Sequence, residues 1–228
     1  TPFSPIAAPA RYQYELFTQE LRPSSDFDGP FNFMVGGSYE HSNRPFDNAP
    51  IIGNVVGYVL NPVSNNYATL DMCSVTKGDY ISAFAEVNWK ILPELELSGG
   101  ARWSHDQKKM DQVNLAVGPL LSAILRPAGS PFHAEYSDSH ISPEATLTWR
   151  PNSDHTVYGS YKTGYKSGGI SNPFLLGPAT TPANVVFRPE VAKGFEVGYK
   201  ASLNGGRLRF DLNAYTYLYD DLQVVQAD

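Results

Sequence analysis

Residues Phe187–Asp221 read FRPEVAKGFEVGYKASLNGGRLRFDLNAYTYLYDD, and the alternation within them decides the fold. Before Asn204, the residues Phe195, Val197, Tyr199, Ala201 and Leu203 share one parity, and Glu196, Gly198, Lys200 and Ser202 share the other. After Gly206, Leu208, Phe210, Leu212, Ala214, Thr216 and Leu218 alternate with Arg207, Arg209, Asp211, Asn213, Tyr215, Tyr217 and Tyr219. Successive strand side chains point to opposite faces. Each run therefore has one apolar and one polar face. Asn204-Gly205-Gly206 tolerates positive φ and closes the two runs as a hairpin. Each run is about ten residues long, the length that crosses a bilayer when tilted.

The same unit recurs upstream. Ile81, Ala83, Ala85, Val87 and Trp89 alternate with Tyr80, Ser82, Phe84, Glu86 and Asn88. After the reversal Leu92-Pro93-Glu94, Leu95, Leu97, Gly99, Ala101 and Trp103 alternate with Glu96, Ser98, Gly100, Arg102 and Ser104. Trp89 lies beside the turn and Trp103 at the far end, where interfacial aromatic girdles belong. Tyr136–Arg150 and His155–Lys166 make another pair about Pro151–Asp154, with Pro143 a candidate bulge. In the second of these, Val157, Gly159, Tyr161, Thr163 and Tyr165 share the apolar parity. Nearer the N-terminus, Arg11–Arg22 and the alternating run from Phe31 to Glu40 flank the turn Pro23–Pro30. A last strand is expected to begin at Leu222–Gln226.

Three connections, His41–Lys77, Lys108–His133 and Ser167–Arg188, far exceed the usual ~4–6 residues. They alternate with the tight turns, so all long connections fall at one end of an up-and-down meander and all short ones at the other. The apolar run Leu115–Leu125 in the second connection is expected to form a short loop helix folded inward. Charge sorts with the faces: Glu86, Arg102, Glu144, Lys162, Glu196, Lys200, Arg209 and Asp211 all lie on the polar parity. Charge facing lipid is costly, so this parity is expected to form a polar wall around a lumen. The fold expected is all-β: an antiparallel transmembrane β-barrel meander of about nine strands, incomplete, with short periplasmic turns and long extracellular loops.

Composition agrees and narrows the function. Only 18% of residues are charged and 13% are aromatic, against about a quarter charged in a soluble domain. The net charge of -6 provides no basic footprint for nucleic acid. One cysteine, Cys73, excludes an internal disulfide framework. The five histidines, His41, His105, His133, His140 and His155, match no zinc spacing, although His133 and His140 could meet at a loop mouth. Gly164, Gly168 and Gly169 are followed by no phosphate-binding helix. No nucleophile elbow is present. No enzyme activity, metal or cofactor is expected. Aromatic residues in the long connections, Tyr58, Tyr67, Phe132 and Phe174, are candidates for ligand contact or for packing the loops on each other.

Several segments resemble the barrel of TonB-dependent outer-membrane receptors. They are Phe17–Arg22 (FTQELR), Tyr158–Gly169 (YGSYKTGYKSGG), Arg188–Lys200 (RPEVAKGFEVGYK) and Gly205–Leu222 (GGRLRFDLNAYTYLYDDL), in the family's order. The resemblance implies a 22-stranded barrel around an N-terminal plug. It also implies location in the outer membrane of a Gram-negative cell and uptake of a scarce bulky solute, most often a ferric siderophore, energised through the TonB complex. No plug and no TonB box are visible in residues 1–228, so the chain is expected to supply part of such a barrel, the lipid bilayer, a plug and further strands being its partners. Two rivals remain. A passive pore or small closed barrel requires the first strand to pair with the last. A soluble β-sandwich requires two packed sheets with short connections at both ends.

Overall fold

The computed structural model describes residues 6–52, 59–61, 66–119, 121–172 and 175–224. Two collinear segments, β1 (Ala10–Tyr12) and β2 (Glu15–Leu21), pair with one side of β3 (Phe31–Asn48). Six strands follow: β4 (Leu70–Leu92), β5 (Leu95–Val117), β6 (Pro131–Asn152), β7 (His155–Lys166), β8 (Glu190–Leu203) and β9 (Leu208–Asp220). From β3 onward each pairs antiparallel with the next, giving one nine-stranded sheet in chain order. Its edges, β9 on one side and β1 with β2 on the other, do not pair with each other among the described residues. The other sheets among the described residues are two-stranded ladders, so no second layer makes a sandwich, and the separate edges exclude the small closed barrel.

The connections sort as expected. Pro93–Glu94, Ser153–Asp154 and Asn204–Arg207 turn at one end, together with residues 22–30, while residues 49–69, 118–130 and 167–189 connect at the other. In the β8–β9 turn, Asn204, Gly205 and Gly206 take φ of 53°, 63° and 83°. That left-handed region is open to glycine and tolerated by asparagine.

The strands themselves are longer than their alternation. β3 runs to Asn48, β4 begins at Leu70, β5 continues to Val117 and β6 begins at Pro131. Close to half of the expected loops His41–Lys77 and Lys108–His133 therefore belongs to these long strands. The reason is that above the membrane both faces meet polar groups or loops, so the period fades while the backbone ladder continues. Leu115–Val117 belongs to β5 and residues 121–124 form turns, so the expected loop helix is not formed among the described residues. A one-turn helix at Pro182–Val185 lies instead in the third connection. Leu222–Val224 form no strand, and residues 225–228 lie outside the described ones.

Register confirms the two faces. One row crosses the sheet through Phe31, Trp89, Leu97, Leu147, Gly159, Val197 and Ala214. The neighbouring row on the other face runs through Asn32, Asn88, Ser98, Thr146, Ser160, Glu196 and Tyr215. Burial is inverted relative to a soluble sheet: Ser82 is 2% exposed while its neighbour Ile81 is 46% exposed. Ser104 and Ser160 are likewise buried, and Trp103, Leu147, Val197 and Leu212 exposed. The apolar face is bounded by Tyr39, Ile81, Trp103 and Ile141 at the long-connection end, and by Phe31, Trp89 and Trp149 at the turn end. In β4 it occupies residues 81–89, matching the ~9–11 residues of a tilted crossing. Beyond it the same face turns polar, with His41, Asp79, Gln107, Lys109 and Glu135.

Candidate functional site

The polar face carries the chemistry. In its middle, the Arg102 guanidinium donates from Nη1 to Ser82 Oγ at 3.0 Å and lies 4.4 Å above the Phe84 ring. The Phe84 ring in turn covers Gly36, where any Cβ would come within 2.5 Å of its edge. Tyr80 and Ser104 share a hydroxyl hydrogen bond of 2.9 Å. Around them, Arg22, Glu86, Arg102, Glu144, Tyr165 and Ser167 border a cavity of about 440 Å³. Glu86, Arg102 and Glu144, expected on the polar wall, are thus gathered at one place.

The other wall residues form a second group toward the turn end of β7–β9. Tyr158 donates to Glu196 Oε1 at 2.6 Å, and Asn213 approaches the same oxygen at 3.4 Å. Lys200 pairs with Asp211 at 3.4 Å and lies 5.8 Å from the Tyr158 ring centre. Arg209 stands opposite Ser202, and Lys162 opposite Glu144. Gly198 leaves room for the Tyr158 ring, since a Cβ there would fall 2.2 Å from it.

Tyr165 departs from its expected face. Its hydroxyl donates to Asp138 Oδ2 at 2.8 Å, its ring stacks on His140 at 4.5 Å, and it borders the cavity with Arg102. The departure coincides with Pro143. The β6–β7 ladder stops at Glu144–Lys162, one residue short of it. Proline has no N–H to donate across the pair; the Thr163 hydroxyl donates to the Pro143 carbonyl instead, at 2.8 Å. Beyond Lys162, β7 stays paired with β8 alone, through Lys166, and the Tyr165 side chain lies on the polar side.

At the long-connection end, residues 167–172 and 175–187 cross the polar face as a strap. Lys108 is its anchor. The ammonium pairs with Asp106 at 2.8 Å, donates to Ser167 Oγ at 3.1 Å and to the Gly168 carbonyl at 2.8 Å, and lies 5.4 Å from the Tyr136 ring centre. Gly168 N–H donates to the Tyr136 hydroxyl at 2.9 Å, and Asn172 reaches Ser74 on β4 at 2.9 Å. Leu176 and Val185 from the strap pack with Met110, Phe132 and Ala134 from the wall, all buried, with Ile170 against them. A large apolar side chain fully buried in this way contributes about 1.5–3 kcal/mol. The even parity of β5, continued past Ser104 through Asp106, Lys108 and Met110, is the sequence signal for Lys108; Tyr136 has none of this kind.

Of the four loop aromatics, Phe132 is 3% exposed, its ring in the strap cluster and 5.3 Å from the Arg126 guanidinium. It packs the loops. Tyr58, the Tyr67 side chain and Phe174 lie outside the described residues.

Each histidine has a protein partner, and none gathers a metal-ligating cluster among the described residues. His41 bonds Asp79 and His105 bonds Ser139, each at 2.8 Å, His155 bonds the Tyr199 hydroxyl at 2.7 Å, and His133 pairs with Asp111. His133 and His140 cannot meet, because seven residues along one strand put them on opposite faces. Cys73 lies in β4 beyond the apolar band; burial first, then the Asp47 and Asp71 carboxylates, push its thiol pKa up, opposite to a reactive thiolate.

A solved structure of the ferric yersiniabactin uptake receptor FyuA from Yersinia pestis superposes with a TM-score of 0.75 at 15% identity, over 96% of this chain and 30% of that one. The siderophore receptor PiuA from Acinetobacter baumannii gives 0.60 at 18% identity, over 90% and 32%. The copper transporter OprC gives 0.61 at 13% identity, over 93% and 31%. The chain thus spans about a third of the length of these structures, and the likeness at such identity is one of fold. No curated protein matches in sequence. The model of the family described as TonB dependent receptor-like, beta-barrel matches residues 2–228. This family of receptors and transporters, not enzymes, accounts for the inverted faces and sorted connections, and the chain belongs to it.

Proposed function

We propose that this chain forms part of the barrel wall of an outer-membrane receptor that imports a scarce, bulky solute with energy delivered through the TonB complex. The observation that carries the reading is the inverted sheet: an apolar band one membrane crossing tall outside, and a charged, hydrogen-bonded wall inside. Exposed apolar rows such as Leu147–Val197 are unstable in water but suit lipid. The missing part of the wall is supplied by further strands on the free edges of β9 and of β1–β2, and the lumen is closed by a plug domain. The solute is proposed to be a ferric siderophore, as two structural neighbours, a ferric yersiniabactin uptake receptor and a siderophore receptor, suggest. The same fold serves a copper transporter, so the test carries both classes.

Deletion of the complete gene in its Gram-negative host is expected to abolish uptake of one radiolabelled ferric siderophore from a panel, with restoration by the gene in trans. Dissipating the proton gradient is expected to stop that uptake. Membrane fractionation is expected to place the protein with the outer membrane. Copper accumulation lost in place of iron would move the substrate class. Uptake of the identified solute that survives collapse of the gradient would overturn energy coupling and favour a passive pore.

A further inference from the structure

Resting on the assignment of the polar face to the lumen, we infer that the strap of residues 167–172 and 175–187 is a fixed constriction of the extracellular mouth, with Lys108 its positioning residue. A solute-size filter is thereby built into the barrel wall itself. Three observations carry this. The strap crosses three strands on the lumen side, touching β6 at Tyr136, β5 at Lys108 and β4 at Ser74. It is held at both ends, since Gln223 Nε2 donates at 3.0 Å to the carbonyls of Ser167 and Arg188. Two of its apolar residues are more deeply buried than the membrane band: Leu176 is 1% and Val185 5% exposed.

The pin is chemically saturated. Lys108 has three donors, and Asp106, Ser167 and Gly168 accept from them. Asp106 is itself buried, so the ammonium also neutralises a carboxylate that would otherwise stand alone. Buried opposite charges of this kind fix geometry, and removing one partner leaves the other uncompensated. A loop that opened freely would not be built on such a pair over a closed apolar cluster. Beside the Lys108 anchor lies a second cavity of about 210 Å³, bordered by Glu40, Ser42, Arg44, Tyr80, Asp106 and Lys108. Ser167, where the strap begins, also borders the Arg102 cavity.

The test uses the complete receptor in intact cells, in a Cys73→Ser background, with Glu40→Cys as the reporter. A small membrane-impermeant maleimide and a 5-kDa polyethylene-glycol maleimide, about the bulk of a small protein domain, are applied from outside. The small reagent is expected to label position 40 in every variant and the large one to label the parent slowly. Lys108→Met, which keeps the stem and removes the charge, and Leu176→Glu, which unseats the strap from its own side, are each expected to raise the large-reagent rate several-fold. Lys108→Arg is expected to restore the slow rate. Heat-modifiable migration of each variant on a gel checks that the barrel has folded. Equal large-reagent rates in parent and both variants would overturn the constriction while leaving the transport reading intact. Labelling of position 40 by the small reagent only after the outer membrane is breached would overturn both, because the long connections would then face the periplasm.

Discussion

At Leu212 the side chain stands free on the apolar face, 71% exposed, and its neighbour Asn213 lies on the wall beside Glu196. Leu212→Arg is expected to cost about 2–4 kcal/mol if the position lies near the bilayer midplane, and Asn213→Arg little. Urea unfolding of the complete barrel in phospholipid vesicles measures both; equal losses would mean that the faces are exchanged. Gly194 tests the packing of the ladder itself. A Cβ there would come 2.1 Å from the Thr216 carbonyl of the paired strand and 2.5 Å from the Tyr217 ring. Backbone cannot yield as a side-chain tip does, so Gly194→Ala is expected to destabilise the barrel by about 1–3 kcal/mol. Gly198→Ala, which meets only the Tyr158 ring, is expected to cost less and to release the Tyr158–Glu196 hydrogen bond. The difference between the two midpoints is the measurement.

Among the elements, the β8–β9 hairpin depends on three consecutive left-handed residues. Gly206→Val is expected to cost about 1–2 kcal/mol through that geometry alone, read as a lowered urea midpoint with an unchanged slope. The β6–β7 pair depends on a different device. Pro143 ends the ladder and the Thr163 hydroxyl takes over, so Thr163→Val is expected to lose about 0.5–1.5 kcal/mol. Were Thr163 an ordinary strand position, valine would be neutral or favourable there. The outcome therefore distinguishes a substituted ladder bond from a plain β-branched site.

The whole sheet presents apolar residues to its surroundings and keeps polar ones inside, with two open edges. Edges of that kind template pairing with other chains. The 228-residue stretch refolded by itself in detergent is expected to form concentration-dependent oligomers, seen by light scattering after size exclusion. A stable monomer at all concentrations would mean that the edges are satisfied within the chain.

Alternation in sequence was enough to place the strands that cross the membrane, because lipid on one face and a polar lumen on the other impose period two. Residues 81–89, 95–103 and 195–203 were legible for that reason, as were the hairpin turns, where positive φ selects Asn and Gly. The wall residues Glu86, Arg102 and Glu144 shared a legible parity, but their meeting around one cavity depended on register across three strands. Outside the membrane the two-sided contrast vanishes, and the upper halves of β3–β6 carried no period to read. The strap, the Lys108 anchor and the burial of Phe132 belong to contacts between residues some 60 positions apart, such as Lys108 with Gly168. Only the tertiary structure decided those, and with them the placement of Tyr165 on the polar face, because its partners Asp138 and His140 lie on the neighbouring strand, about 25 residues away in sequence.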